Sequence, residues 1–323
     1  MEEEYRTMTR TVIRKLIGCV ISLFVISVIL YSVFYFLGGD SSSVILSEDV
    51  TETARKAYIA ENASPGFLAG YLISMWRFFS LRWGTTINGE NIRSLVLSTL
   101  SVSLSLSFYA FLFSFPFSLF FSVVAVKRRG MASDILLSLF SYVFLLLPSF
   151  LVSIILVLVF SSVLHLLPVA GYAKLSSGYL SHIRTLILPS LSLSLLGSSY
   201  MLRIFRKGLG DTMNQGYINY ARAKGIKEKD IVLRSALKPT LPLIISTTAQ
   251  CMISFIASST VVETVFALPG FGRALVKAAM QRDGSLSFVL VMIMVLFITS
   301  ILFISSVLIA LVDKRGEKEN GMV

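Results

Sequence analysis

Residues 94–126 read SLVLSTLSVSLSLSFYAFLFSFPFSLFFSVVAV, 33 positions without one Asp, Glu, Lys, Arg or His. As a helix the run is about 50 Å long, more than the ~30 Å of a bilayer's hydrocarbon core. Ser101, Ser103, Ser105 and Ser107 recur with period two, which taken alone reads as a strand. A barrel strand needs only about 10 residues between turns, and this run is far longer. The helix reading therefore wins.

Working outward, five more uncharged runs lie at 16–37, 135–173, 185–202, 239–262 and 284–312. Each is close to or above the ~20 residues that one span requires. Of the 323 residues, 55% are hydrophobic and 15% charged, against about 45–50% and 25% in soluble domains. Six such runs separated by charged loops cannot all be buried in one soluble domain of this length. The predicted fold is all-α, a polytopic membrane protein with six transmembrane helices.

Basic residues set the expected orientation. The N-terminus (Arg6, Arg10, Arg14, Lys15), the loop Lys127, Arg128 and Arg129, the segment 203–240 and the tail (Lys314, Arg315, Lys318) together hold 19 of the 29 Lys and Arg residues. Positive charge collects on the cytoplasmic side, so both termini are expected there. The +11 net charge is spread over span ends, where anionic lipid attracts it, and does not point to nucleic acid. The first apolar run is too long for a signal-peptide core and has no small-residue cleavage site after it, so it is read as an anchor.

The chain then divides into residues 1–37 (cytoplasmic N-terminus and first span), 38–93 (an external segment) and 94–323 (a core of five spans). The external segment carries Asp40, Glu48, Asp49, Glu52 and Glu61 together with Trp76 and Trp83. It is expected to hold one or two small lateral helices anchored by tryptophan at the outer interface. Pro116, Pro148, Pro189 and Pro242 each remove a donor inside a run, which kinks helices. The serines of the second and fourth runs, among them Ser114, Ser118, Ser122, Ser190, Ser192, Ser194, Ser198 and Ser199, either permit close helix packing or line a hydrated path; packing is favoured.

Chemistry-bearing residues are sparse. Cys19 and Cys251 read as buried thiols, and His165 and His182 as interfacial residues with no metal-ligand spacing around them. No catalytic residue and no metal ligand is expected. The runs hold no Asp, Glu, Lys or Arg, the groups with which ion-coupled carriers couple transport, and the two histidines sit at span ends, so no base is expected within reach of a serine. The dipeptide Gly-Lys is absent, so no phosphate-cradling loop of the G-x-x-x-x-G-K-[ST] type exists here. If the protein drives uphill transport with ATP, the nucleotide is held by another chain.

Such a chain needs a cytoplasmic surface to grip, and residues 203–240 are the one segment large enough. They parse as a helix over about 217–224, a break at Gly225 and a second helix over about 227–238. Gly suits the left-handed residue that ends a helix. Glu228 and Asp230 lie in the first turn of the second helix and Arg234 and Lys238 near its end, with Asp230 and Arg234 spaced for an i, i+4 pair.

The string YINYARAKGIKEKDIVLRSALKP at 217–239 resembles the cytoplasmic Glu-Ala-Ala…Gly loop of ABC importer permeases, in the form of the oligopeptide, dipeptide and nickel group. VVETVFALPGFGRALVKAAMQRD at 261–283 is similar to that group's segment between the last two spans. The resemblance implies a type I importer permease fold in a bacterial or archaeal inner membrane. It implies that Tyr217, Asn219, Ala221, Arg222, Ala223, Lys224 and Gly225 form or shape the element that couples to an ATPase. Glu263, Leu268, Pro269, Gly270 and Gly272 would belong to an external re-entrant loop over 263–283. Implied partners are a second, homologous permease, two ATP-binding subunits that hold ATP and Mg, an extracytoplasmic substrate-binding protein and a peptide-type substrate. Asn219 stands where many members have Glu, Gly38-Gly39-Asp40-Ser41 where Pro-Gly-Asp-Pro is common, and Leu97 where proline is expected. The alternatives are an ion-coupled secondary transporter and a non-transporting scaffold.

Overall fold

The computed structural model describes residues 2–37 and 66–312. Asp40, Glu48, Asp49, Glu52, Glu61 and the Gly38–Ser41 stretch lie outside the described residues, as do the basic tail residues Lys314, Arg315 and Lys318. The described residues are nearly all helical, with one isolated β-bridge between Thr85 and Asn91.

Helix α1 runs Glu2–Leu37. Within the segment expected to hold one or two lateral helices lies α2, Phe67–Phe79, joined to α1 by a Ser27 to Tyr71 hydroxyl bond of 2.8 Å. Helix α3, Ile92–Lys127, contains the opening run and is capped by Asn91, whose Oδ1 accepts from the Arg93 and Ser94 amides. The third apolar run is not one straight span. Ala132–Leu146 (α4) and Ser149–Leu156 (α5), with its π-helical extension to Val163, meet at 107°. Pro148 explains the break: it disfavours helical backbone at the residue before it, and Leu147 is extended with φ −80° and ψ 128°.

Helix α6 covers Tyr179–Met213, a short α7 covers Gly216–Ala223, and α8 runs Glu228–Val265, with a π-helical stretch at Ile231–Ala236. Helix α9, Phe271–Met280, and α10, Gly284–Val312, complete the order. Among the described residues five helices are long and apolar enough to cross a membrane, six if α4 and α5 count as one broken span. Pro116, Pro189 and Pro242 stay inside α3, α6 and α8.

The core sits between α3, α6 and α8, around Leu106, Leu193, Met201, Phe205 and Phe255. Serines make that packing close. Ser190, Ser192 and Ser199 donate to carbonyls four residues back in α6, which removes the penalty of burying a hydroxyl in an apolar setting. Ser118 donates across the interface to the Ser198 carbonyl at 3.1 Å. A second cluster joins α2, α9, α10 and the start of α3, and α1 packs on α10, where Lys15 reaches the Ser306 carbonyl at 3.3 Å. Asp283 fastens the turn before α3 to this cluster: its Oδ2 accepts from the Ile87 amide at 3.0 Å, and its Oδ1 from the Leu286 amide at 3.0 Å.

Candidate functional site

The segment 203–240 is built from the ends of two long helices. α6 continues to Met213 and α8 starts at Glu228, so only residues 214–227 form a connection, and α7 fills most of it. The second helix expected to end near 238 does not end there. It runs on to Val265, which puts Arg234 and Lys238 near the start of a long helix and not at a C-terminus.

α7 ends as expected at Gly225, with φ 77°. The Gly225 amide donates to the Arg222 carbonyl at 2.9 Å and the Ile226 amide to the Ala221 carbonyl at 3.3 Å, the bond pair of a Schellman motif with Gly225 at C′. Ile218, at 0% exposure, and Ala221, at 9%, face inward onto Leu209, Met213, Ile231, Val232 and Ala236. Ala221 thus serves contact within the chain, whereas Tyr217, Asn219, Tyr220, Ala223, Lys224 and Gly225 are exposed.

The charges are partly matched locally. Arg222 Nε donates to Glu228 Oε1 at 2.6 Å and its Nη1 to Asn219 Oδ1 at 3.2 Å. Lys224 Nζ lies 4.6 Å from the centre of the Tyr220 ring, a cation–π contact. Among the described residues Glu228 pairs with Arg222, and the i, i+4 pair of Asp230 with Arg234 does not form. The π-helical stretch that starts at Ile231 and contains Arg234 changes the register on which that pairing depends. Pro239 has no N–H to give the Ser235 carbonyl, and the Tyr217 hydroxyl sits 3.4 Å from that oxygen.

At the other end of α8, Glu263 lies in its last turn, completely buried at 0% exposure. The absence of carboxylates inside the runs stops one residue short of it. Ser103 Oγ donates to Glu263 Oε1 at 2.5 Å, and Ser103 in turn accepts from the Phe271 amide at 2.8 Å. Glu263 Oε2 accepts from the Arg273 amide at 2.9 Å. Carboxylate and serine together cap the N-terminus of α9, whose dipole favours negative charge there. Gly270 has to lack a side chain, because a Cβ would run into the Glu263 carboxylate; at Gly272 it would run into Thr260. Leu268 is buried and its amide donates to the Glu263 carbonyl at 2.8 Å, while Pro269 is exposed.

Two side chains outside these motifs were not singled out from the sequence. Between α6 and α8 lies a cavity of 370 Å³, with Tyr200 and Gln250 in its lining. Nothing in their local pattern distinguishes them, since only the pairing of the two helices brings them together.

Asp134 is held by Arg206 in a bidentate pair, 2.6 and 2.9 Å, and also accepts from the Gly130 amide at 3.0 Å. It ties the basic loop after α3 to α6.

The chain is 27% identical over 316 residues to the oligopeptide transport system permease protein AppB of Bacillus subtilis (strain 168), covering 96% of this chain and 100% of that protein. Against the oligopeptide transport system permease protein OppB of Escherichia coli (strain K12) identity is 33% over 196 residues, 61% of this chain and 62% of the relative. The solved inward-facing structure of the MetNI methionine ABC transporter has a similar fold, with a TM-score of 0.56 at 16% identity over 68% of this chain and 97% of the other. Residues 114–318 match the binding-protein-dependent transport system inner membrane component family, transport components and not enzymes, and this chain is a member of it.

Proposed function

We propose that this chain is the transmembrane permease subunit of an ATP-driven, binding-protein-dependent importer whose cargo is oligopeptides or dipeptides. It forms the path with a second, homologous permease, receives cargo from an extracytoplasmic binding protein and is driven by two separate ATP-binding subunits. Both termini lie on the cytoplasmic side.

The observation that carries this reading is the anchoring of α7. Its buried face, Ile218 and Ala221, is packed on α6 and α8, both of which continue through the apolar layer. A push on its exposed face is passed to those two helices as a rigid body, since packed interfaces shift between discrete arrangements and do not deform continuously. The exposed face offers Tyr217, Tyr220, Ala223 and Lys224 to a partner, with Gly225 ending the helix. The outer turn at 266–270, clamped through Glu263, is the tip of a re-entrant loop at the external mouth. The buried carboxylate that an ion-coupled carrier needs is here engaged in capping α9.

Purification of the intact complex from native membranes, with mass spectrometry of its protein partners and bound small molecules, tests this. Two ATP-binding subunits, a second permease and a peptide are expected; a complex without an ATP-binding chain overturns the reading.

A further inference from the structure

We infer that the cavity between α6 and α8 is a binding groove for the uncharged interior of a peptide, engaging its main-chain amides and leaving its charged ends elsewhere. This rests on the peptide-importer reading above and names the part of the cargo that this site holds.

The cavity measures 370 Å³, within the roughly 300–1,000 Å³ of small-molecule sites. Its lining has no Asp, Glu, Lys, Arg or His. It lies within the uncharged runs of both helices, so a charged terminus would enter it without a counter-ion and stripped of water, which is strongly unfavourable.

The polar groups present are neutral hydrogen-bonding groups: the Tyr200 hydroxyl, the Gln250 amide, and the Ser254 and Ser258 hydroxyls. Ser254 donates to the Gln250 carbonyl at 3.0 Å, which leaves its lone pairs open. Tyr200, Gln250 and Ser258 form no side-chain hydrogen bond among the described residues. A carboxamide and hydroxyls left unpaired within a spanning segment are disfavoured against lipid, so they call for a polar occupant. The Gln250 side chain carries one carbonyl acceptor and an NH₂ donor, which matches the C=O and N–H of a peptide unit.

The groove also has a firm floor. Gly197 lets the Phe255 ring approach α6 so closely that a Cβ at 197 would overlap it. Phe255 is buried, and its ring gives an apolar surface beside the amide-reading groups.

The test uses the full complex in proteoliposomes with its own binding protein. It compares uptake of an oligoalanine of three to five residues with the analogue in which one internal amide is replaced by an ester, which removes one N–H. With the wild-type chain the ester analogue is expected to be taken up about three- to ten-fold more slowly, the range of one neutral hydrogen bond. In Gln250→Leu that ratio is expected to fall towards one. Tyr200→Phe, which removes a single oxygen, is expected to narrow the ratio as well, and it decides the matter if Gln250→Leu fails to assemble. An ester ratio unchanged from wild type in the variants overturns the groove and leaves the peptide reading standing. Uptake of neither compound by the wild-type complex overturns the peptide reading, and the groove falls with it.

Discussion

Gly225 carries the sharpest demand on residue type. Its φ of 77° places it where a side chain is strained, and a Cβ there would meet open space, so the penalty comes from the backbone alone. Gly225→Val is expected to cost about 1–2 kcal/mol locally, Gly225→Asn clearly less. Uptake should therefore drop severely in the valine variant and partially in the asparagine variant, at equal amounts of chain in the membrane; equal uptake by both would refute the role of the bend. Glu263 makes the opposite case, since its importance comes from its neighbours. Glu263→Ala leaves the Ser103 hydroxyl and the Arg273 amide without their acceptor, and about 3 kcal/mol of stability should be lost. Thermal unfolding of the purified complex measures it, and an unaltered Tm would contradict the clamp. Gly225 was legible in the sequence because a lone Gly between two helical patterns is a local signal. The partners of Glu263 were not legible, because Ser103 stands 160 positions away.

At the scale of elements, the apolar runs announced helices but not their ends. The uncharged run 185–202 is the middle of a 35-residue helix, because α6 keeps winding beyond the apolar layer where α7 and α8 cover it. The run 135–173 became a broken pair because of Pro148, a residue legible as a kink but not as a bend of 107°. The Asp134 and Arg206 pair holds α4 against α6 with Asp134 buried and Arg206 about a third exposed. Its loss in Asp134→Ala should cost about 2 kcal/mol, between the exposed and buried limits. The expected readout is a lower Tm with α-helix content retained in circular dichroism; an unchanged Tm would show that packing alone positions α4.

At the scale of the whole molecule, the described residues leave large apolar side chains such as Val20, Phe24, Leu146 and Leu180 facing outward. A soluble protein hides such groups, and a bilayer solvates them. The complex reconstituted in proteoliposomes is expected to import its cargo only with ATP inside. Dissipating the proton and sodium gradients with ionophores should leave uptake within about two-fold of the control, whereas uptake that follows the gradients would refute ATP drive.

The sequence by itself determined that the chain is a membrane protein of helices, that it lacks the Gly-Lys of a G-x-x-x-x-G-K-[ST] loop, and that a short helix stops at Gly225. Each of these depends on composition or on neighbours a few residues apart. Only the tertiary structure decided where α8 begins, that Ala221 faces its own chain, that Arg222 is matched by Glu228, that Glu263 caps α9, and that Tyr200 and Gln250 share one cavity. Those facts depend on contacts between helices, and the face a helix turns to its neighbour follows from packing that no single run of residues contains.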